Sequence, residues 1–162
     1  MRGAGMERVV ALDAYGINPG DLSWGCLESV GTLAVYDHSS RDQIVQRAAD
    51  ASVLLVDRAA LGEAELEMLP HLKYIGLFAT GHDQIDLDAA RRRGVAVANV
   101  PGYSTASVAQ MTFALLLALV SKVCAYADHV ESGGWQRGKT FSYAGGTLTE
   151  LVGKTLGILG VG

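Results

Sequence analysis

Runs of consecutive apolar residues alternate, along the first hundred residues, with segments in which apolar residues recur every three or four positions. The apolar runs predict five strands, over 9–12, 33–36, 53–56, 74–78 and 95–98. The amphipathic segments between them predict helices over 21–30, 41–49, 63–69 and 87–93. Continuously apolar strands separated by helices are typical of a parallel sheet covered on both faces. We therefore predict an α/β fold in which a flavodoxin-like parallel sheet comes first.

The pattern changes after Pro101-Gly102, where a long helix is predicted. Ser104 or Thr105 is suited to begin it, and the apolar positions continue to about Ala127. These positions cover every side of the helix, so it is expected to be enclosed by several elements or to lie in a subunit interface.

The last residues predict a buried strand that runs directly into a glycine turn. Leu156–Leu159 is the apolar run, and Gly160-Val161-Gly162 follows it. A buried strand followed by Gly-x-Gly is how a dinucleotide-binding βαβ unit begins, because the glycines allow a tight turn and a close approach to the pyrophosphate. Taken alone, two glycines at this position are weak support for such a site.

Charge and composition exclude several functions. The 162 residues carry a formal net charge of −4, and the longest basic run is Arg91-Arg92-Arg93, so a nucleic-acid partner is not expected. The longest apolar run, Met111–Val120, is too short for a membrane span, which needs about 20 residues. Cys26 and Cys124 are far apart and have no metal-ligand spacing, so we predict buried, reduced thiols, no metal site and a cytoplasmic location.

Four segments, in this order, resemble those of the D-isomer-specific 2-hydroxyacid dehydrogenases. They are Leu72–Asp86, which contains Ala-Thr-Gly-His-Asp, then Gly94–Thr105, Ser107–Gln110 and Gly153–Gly162. The Ala-Thr-Gly loop and the Val-Ala-Gln ending are most similar to the glycerate dehydrogenase (hydroxypyruvate reductase) branch of that family.

The resemblance implies two domains around a cleft. Residues 1–102 would form most of the substrate domain, and residues 103–162 would supply linking helices and the first strand of a Rossmann nucleotide domain. The chain is then expected to be a truncated piece of an enzyme that uses NAD or NADP. The resemblance also implies a small 2-hydroxy or 2-oxo acid substrate and a homodimeric parent enzyme.

The resemblance assigns binding of the substrate carboxylate to Ala79, Thr80 and Gly81. These residues follow a predicted strand, at the edge where open α/β sheets bind ligands, and a glycine there allows backbone amides to converge on an anion. The alternative is an ordinary strand-to-helix turn.

The cofactor-binding candidates are Ser104 and Val108, at the start of the long helix, together with Gly160, Val161 and Gly162. A helix cap is the alternative role for Ser104. The segment Asn99–Pro101 is interpreted as a hinge rather than as a substrate contact, since proline fixes the backbone there.

No residue of the chain is assigned the proton-transfer role. In the family an arginine, a glutamate and a histidine do this work, and all three are expected beyond residue 162. His82 lies next to the candidate loop but does not match that histidine. We therefore expect the chain alone to be inactive. The alternatives are a non-catalytic module that binds a small acid or a protein, or a truncated inactive product.

Overall fold

The first part of the chain is built on one parallel sheet. The computed structural model describes residues 6–160. Its strands are β1 (Glu7–Ala11), β2 (Gly31–Val35), β3 (Val53–Val56), β4 (Tyr74–Leu77) and β5 (Ala96–Ala98). All neighbouring strands are parallel, in the order β2-β1-β3-β4-β5. This is the flavodoxin-like order, so the predicted fold class is confirmed.

Helices connect the strands and continue beyond the sheet. Between the strands lie α1 (Gly25–Glu28), α2 (Arg41–Ala48), α3 (Glu63–Glu67) and α4 (Leu87–Arg92). After β5 come α5 (Thr105–Val120), α6 (Val123–Glu131) and α7 (Gly134–Arg137). Among the described residues, no single helix is long and apolar enough to cross a membrane.

The core lies mainly on one face of the sheet, because successive side chains of a strand point to opposite faces. Leu54, Val56 and Ile75 point to the face that α2, α3 and α4 cover, and they are fully buried. Leu55 belongs to a smaller cluster on the other face, where the partly buried Leu27 of α1 packs. The middle strands therefore consist of consecutive apolar residues, and for this reason the sequence predicted their positions closely.

Helix α1 is much shorter than the predicted helix over 21–30. The side chain of Asn18 explains the difference, since its amide donates to the carbonyl of Leu22 at 2.8 Å. Its oxygen accepts from the N–H groups of Gly20 and Leu22 at 3.1 and 3.0 Å. These bonds hold residues 18–22 in a loop, and an asparagine that bonds its own neighbouring backbone competes with helix formation.

The chain divides into two units, Met1–Tyr103 and Ser104–Gly162. In the second unit the predicted long helix is interrupted at Ser121 and Lys122, and α5 and α6 meet at an angle of 63°. Lys122 takes a left-handed conformation (φ 52°), which ends the regular helical bonding.

Two other predictions about local structure are wrong. Within the described residues, 156–159 form no strand and pair with no other segment. A strand needs a partner to satisfy its backbone groups, and apolar composition alone does not provide one. Cys26 and Cys124 are both exposed rather than buried, because neither α1 nor α6 is covered on that side.

Candidate functional site

The candidate loop, Ala79–Gly81, lies at the carboxyl edge of the sheet. It follows β4 after a single residue, and β4 has a neighbour on each side, β3 and β5. In a parallel sheet all carboxyl ends lie at the same edge, so the loop is adjacent to the residues that follow β3 and β5. Ala79 is partly buried, whereas Thr80 and Gly81 are exposed.

Three hydrogen bonds tie this loop to the two residues after β5. The N–H of Val100 donates to the carbonyl of Ala79 at 3.0 Å. The side-chain amide of Asn99 donates to the carbonyl of Thr80 at 2.7 Å. The hydroxyl of Thr80 donates to the carbonyl of Val100 at 3.0 Å. We call these three bonds the 79–80/99–100 bracket.

The bracket engages the carbonyls of the loop and leaves its N–H groups available. Within residues 6–160, the backbone N–H groups of Thr80 and Gly81 donate to no other protein atom. Both residues are exposed, so a ligand can reach these donors. Adjacent unpaired N–H groups in a loop are a suitable site for an anion. The Thr80 hydroxyl is already bonded, so the backbone provides the donors.

The loop is also anchored on its far side. Leu61 and Ile85 form an isolated parallel bridge, and the Gln84 side chain donates to the carbonyl of Asp57 at 2.9 Å. The side chain of Asp86 then caps α4 by accepting from the N–H of Ala89 at 2.9 Å. Residues 79–86 are therefore fixed at both ends, which limits the cost of ordering them around a ligand.

Gly81 does not occupy the left-handed region of backbone conformations. A Cβ there would approach a carboxylate oxygen of Asp83 to 3.2 Å, and that exposed side chain has room to move away. The neighbouring His82 is exposed. Within residues 6–160, the His82 imidazole has no hydrogen-bond partner that would assign it a chemical role.

The cofactor-binding candidates belong to the second unit. Gly160 has a φ of +107°, and a Cβ there would meet nothing within 4 Å. Only glycine adopts that conformation readily. Gly160 is the one described residue of the proposed glycine turn, because Val161 and Gly162 lie outside the described residues.

Ser104 and Val108 begin α5, as predicted. The N–H of Val108 donates to the carbonyl of Ser104 at 2.8 Å, so Ser104 occupies the N-cap position. The Ser104 side chain makes no capping hydrogen bond, however, so the expected capping of α5 by this side chain is wrong. Val108 is 60% exposed.

Sequence reasoning missed a cavity at the same edge of the sheet. It has a volume of about 470 Å³ and is lined by Asp13, Tyr15, His38 and Arg58, among others. It lies beyond the ends of β1, β2 and β3, where the strand order reverses, and open α/β sheets commonly bind ligands at such a place. The strand order, which the sequence does not show directly, would have been needed to find it.

The resolved changes in pKa lie outside the candidate loop. The Arg41 guanidinium beside Glu65 lowers the pKa of that carboxyl, and so do the backbone donors around it. The neighbouring Ser52 hydroxyl and then Lys73, whose ammonium donates to both carboxylate oxygens of Glu7 at 2.9 and 3.2 Å, lower the pKa of Glu7. Within the described residues, no group of His, Cys, Asp and Glu is arranged to hold a metal ion.

Comparison with known proteins identifies the class to which this fold and loop belong. Residues 11–155 match the family model of the D-isomer specific 2-hydroxyacid dehydrogenase, catalytic domain. The chain is 35% identical over 158 residues to the hydroxypyruvate reductase of Blautia hydrogenotrophica, an alignment that covers 96% of the chain and 49% of that protein. The chain therefore belongs to the D-isomer-specific 2-hydroxyacid dehydrogenase family.

Solved structures agree with this assignment. The pyruvate reductase of Chlamydomonas reinhardtii matches with a TM-score of 0.70 at 24% identity, over 91% of this chain and 43% of that one, and it supports the fold alone. The D-lactate dehydrogenase of Aquifex aeolicus, complexed with NAD and lactic acid, matches with a TM-score of 0.60 at 27% identity. That match covers 76% of this chain and 37% of the Aquifex aeolicus chain. The chain thus spans about half the length, or less, of these relatives.

Proposed function

We propose that Ala79, Thr80 and Gly81 form the carboxylate-binding loop of an NAD- or NADP-dependent D-2-hydroxyacid dehydrogenase. The observation that carries this proposal is the pair of exposed, unpaired N–H groups at Thr80 and Gly81. Membership of the family supports a 2-hydroxy or 2-oxo acid as substrate. Similarity to a hydroxypyruvate reductase favours hydroxypyruvate or glyoxylate within that class.

The chemistry of the loop suits a carboxylate. Two backbone N–H groups can each donate to a carboxylate oxygen, and bonds to an ionised acceptor are roughly twice as strong as neutral ones. Ala79 contributes through its carbonyl, whose bond to Val100 fixes the peptide that carries the Thr80 N–H. The loop would hold the acid end of the substrate and leave the neighbouring carbonyl carbon free to react.

We assign Gly160, Val161 and Gly162 to the turn that receives the cofactor pyrophosphate, and Ser104 and Val108 to contacts near the nicotinamide. The backbone conformation of Gly160 supports the first assignment. The NAD complex of the Aquifex aeolicus relative supports a nicotinamide cofactor. When bound, such a cofactor supplies or accepts the hydride at the carbonyl carbon of the acid.

The chain by itself should not turn over substrate. We assign proton transfer to none of its residues, and a general acid must lie within hydrogen-bond reach of the substrate oxygen. Purified chain, mixed with hydroxypyruvate and NADH or NADPH, should show no change in absorbance at the nicotinamide band beyond the protein-free blank. Clear turnover would contradict this part of the proposal.

Binding of the acid is the direct test of the loop. In NMR titrations of the ¹⁵N-labelled chain, hydroxypyruvate should shift the amide resonances of Thr80 and Gly81. Hydroxyacetone, which replaces the carboxylate with a methyl group, is the matched control and should leave them unchanged. Equal shifts from both compounds, or none from either, would refute carboxylate recognition by this loop.

Exposed apolar side chains on α5 favour a second role, association with another protein surface. Met111, Phe113 and Leu115 are 59%, 55% and 57% exposed. Large exposed apolar side chains at several positions of one helix are typical of interaction sites in soluble proteins. We propose that α5 contributes to a homodimer interface in the whole protein, and a purely protein-binding module is the alternative function.

Sedimentation measurements test this second role. Phe113→Ser should reduce self-association of the chain, whereas Thr112→Ser, which keeps the hydroxyl bonded to the carbonyl of Val108, should not. A wild-type chain that remains monomeric at all accessible concentrations would refute the interface.

A further inference from the structure

We propose that Asn99 is a positioning residue whose side-chain amide sets the direction of the Gly81 N–H toward the substrate carboxylate. The inference rests on the proposed function, because it concerns how the 79–81 loop comes to present its donors. Asn99 was interpreted from the sequence as part of a hinge, with no role toward the acid.

The geometry of the peptide group links Asn99 to the Gly81 N–H. In a planar trans peptide the C=O of one residue and the N–H of the next point in opposite directions. The carbonyl of Thr80 and the N–H of Gly81 belong to the same peptide. Since the Asn99 amide holds that carbonyl at 2.7 Å, the Gly81 N–H must point away from Asn99.

The same reasoning applies one peptide earlier. The N–H of Val100 holds the carbonyl of Ala79 at 3.0 Å, so the N–H of Thr80 also points away from the segment after β5. The backbone of Val100 and the side chain of Asn99 therefore fix two consecutive peptides. A backbone N–H is present at almost any residue, whereas the amide at position 99 depends on asparagine.

The Thr80 hydroxyl closes the arrangement by donating back to the carbonyl of Val100. Because Thr80, Asn99 and Val100 are all exposed, water can replace any of these bonds at small cost. Their effect is then mainly on the conformation of the loop. A bracket that holds donors in the binding orientation before the acid arrives reduces the entropy lost on binding.

Binding of the acid should also stabilise the hydrogen bonds of the 79–80/99–100 bracket. If the bracket favours the conformation that binds the acid, bound acid must favour the bracket to the same extent. The amide of Val100, which is inside the bracket and 20 residues from Thr80 in sequence, should exchange its hydrogen more slowly when hydroxypyruvate is bound. A residue with a merely structural role would not produce this coupling.

Residual dipolar couplings of the full chain test the inference directly, since they report the direction of each N–H bond. Asn99→Leu removes the donor at similar size and without adding charge, and Asn99→Ala is the second variant in case the first fails to fold. We expect the coupling of Gly81 to change and that of Ile85, which is anchored by its bridge to Leu61, to stay constant. Hydroxypyruvate should bind about five-fold more weakly to either variant, as expected for one lost orienting hydrogen bond.

A pair of variants at position 80 provides the conservative comparison. Thr80→Ser keeps the hydroxyl and should bind hydroxypyruvate more tightly than Thr80→Val does. Thr80→Val keeps the shape, loses the bond to Val100, and should weaken binding and abolish the slower exchange at Val100.

The outcomes separate this inference from the proposed function. If the Gly81 coupling and the affinity are both unchanged in Asn99→Leu and Asn99→Ala, Asn99 does not position the loop and the inference is wrong. If hydroxypyruvate leaves the wild-type loop unshifted while the Gly81 coupling still changes in the variants, Asn99 sets the peptide but the proposed substrate site fails.

Discussion

Gly31 of β2 pairs with Glu7 of β1, and replacing Gly31 with alanine should weaken the sheet markedly. A Cβ at this position would lie 1.9 Å from the carbonyl oxygen of Glu7 and 2.7 Å from its carbonyl carbon. Both neighbouring atoms are backbone, so no side chain can rotate to make room. The two strands must therefore move apart by at least about 1 Å, since non-bonded heavy atoms at their best separation are about 3.5–4 Å apart.

The cost can be estimated from the ladder that this movement disturbs. β1 and β2 pair over five residues, from Glu7 with Gly31 to Ala11 with Val35. Loss of the first two or three inter-strand bonds, at about 1 kcal/mol each, gives about 2–3 kcal/mol. For a unit of about 100 residues this corresponds to a fall in Tm of about 10–20 °C.

Thermal unfolding followed by circular dichroism measures the effect of Gly31→Ala. Gly157→Ala is the matched control, because a Cβ there meets nothing within 4 Å and its Tm should stay within a few degrees. Below its Tm, Gly31→Ala should still bind hydroxypyruvate normally, since β1 and β3 separate β2 from β4 and its loop. If Gly31→Ala and the control have the same Tm, β2 accommodates the Cβ without loss of stability, and the predicted clash with the Glu7 backbone is refuted.

Three further predictions concern stability. Leu54→Ala in the buried middle of β3 leaves a cavity, so it should lower the free energy of unfolding in urea titrations by about 2–5 kcal/mol. A loss below about 1 kcal/mol would contradict the full burial of Leu54. Asp86→Ala removes the cap on the Ala89 N–H and should cost about 1 kcal/mol in the same assay, whereas Asp86→Asn should cost much less. The pKa of Glu65 in the folded protein is below its ordinary value of 4.5, so the stability contributed by its carboxylate is complete above pH 4.5 and is lost as the pH falls through the lowered pKa. The difference in the free energy of unfolding between wild type and Glu65→Gln should therefore shrink in acid. A difference independent of pH would refute the pairing of Glu65 with Arg41.

The sheet was predictable because its middle strands are buried on both faces. Val53–Val56 was predicted with the bounds that the structure shows. β1 and β2 each begin two residues before the apolar runs that predicted them, because Glu7 and Arg8 pair with Gly31 and Thr32 in the sheet although they belong to no apolar run. The helix predicted over 21–30 failed because its start depends on the Asn18 side chain, a contact that apolar spacing does not report.

The candidate loop could be located from the sequence, but its geometry could not. Position after a strand and resemblance to the family both indicated Ala79–Gly81. That Asn99 bonds the Thr80 carbonyl depends on β4 and β5 being neighbours in register, with Gly76 opposite Ala98. The interruption of the long helix at Lys122 was not predictable, because no proline or glycine lies at that point of the sequence. The absence of a strand over 156–159 reflects missing pairing partners among the described residues rather than a lack of apolar residues.

Burial is distributed very unevenly between the two units, and this affects how the protein should melt. Among residues 6–160, the buried hydrophobic side chains all lie between Val9 and Val95, and no residue after Tyr103 is buried. Heat absorbed on unfolding scales with the residues that lose packed contacts, at about 0.7 kcal/mol per residue near 60 °C. A calorimeter should accordingly record a single transition of about 70 kcal/mol, the enthalpy of a domain of about 100 residues. The helices from α5 onward would add to the ellipticity of the chain far more than to its heat of melting.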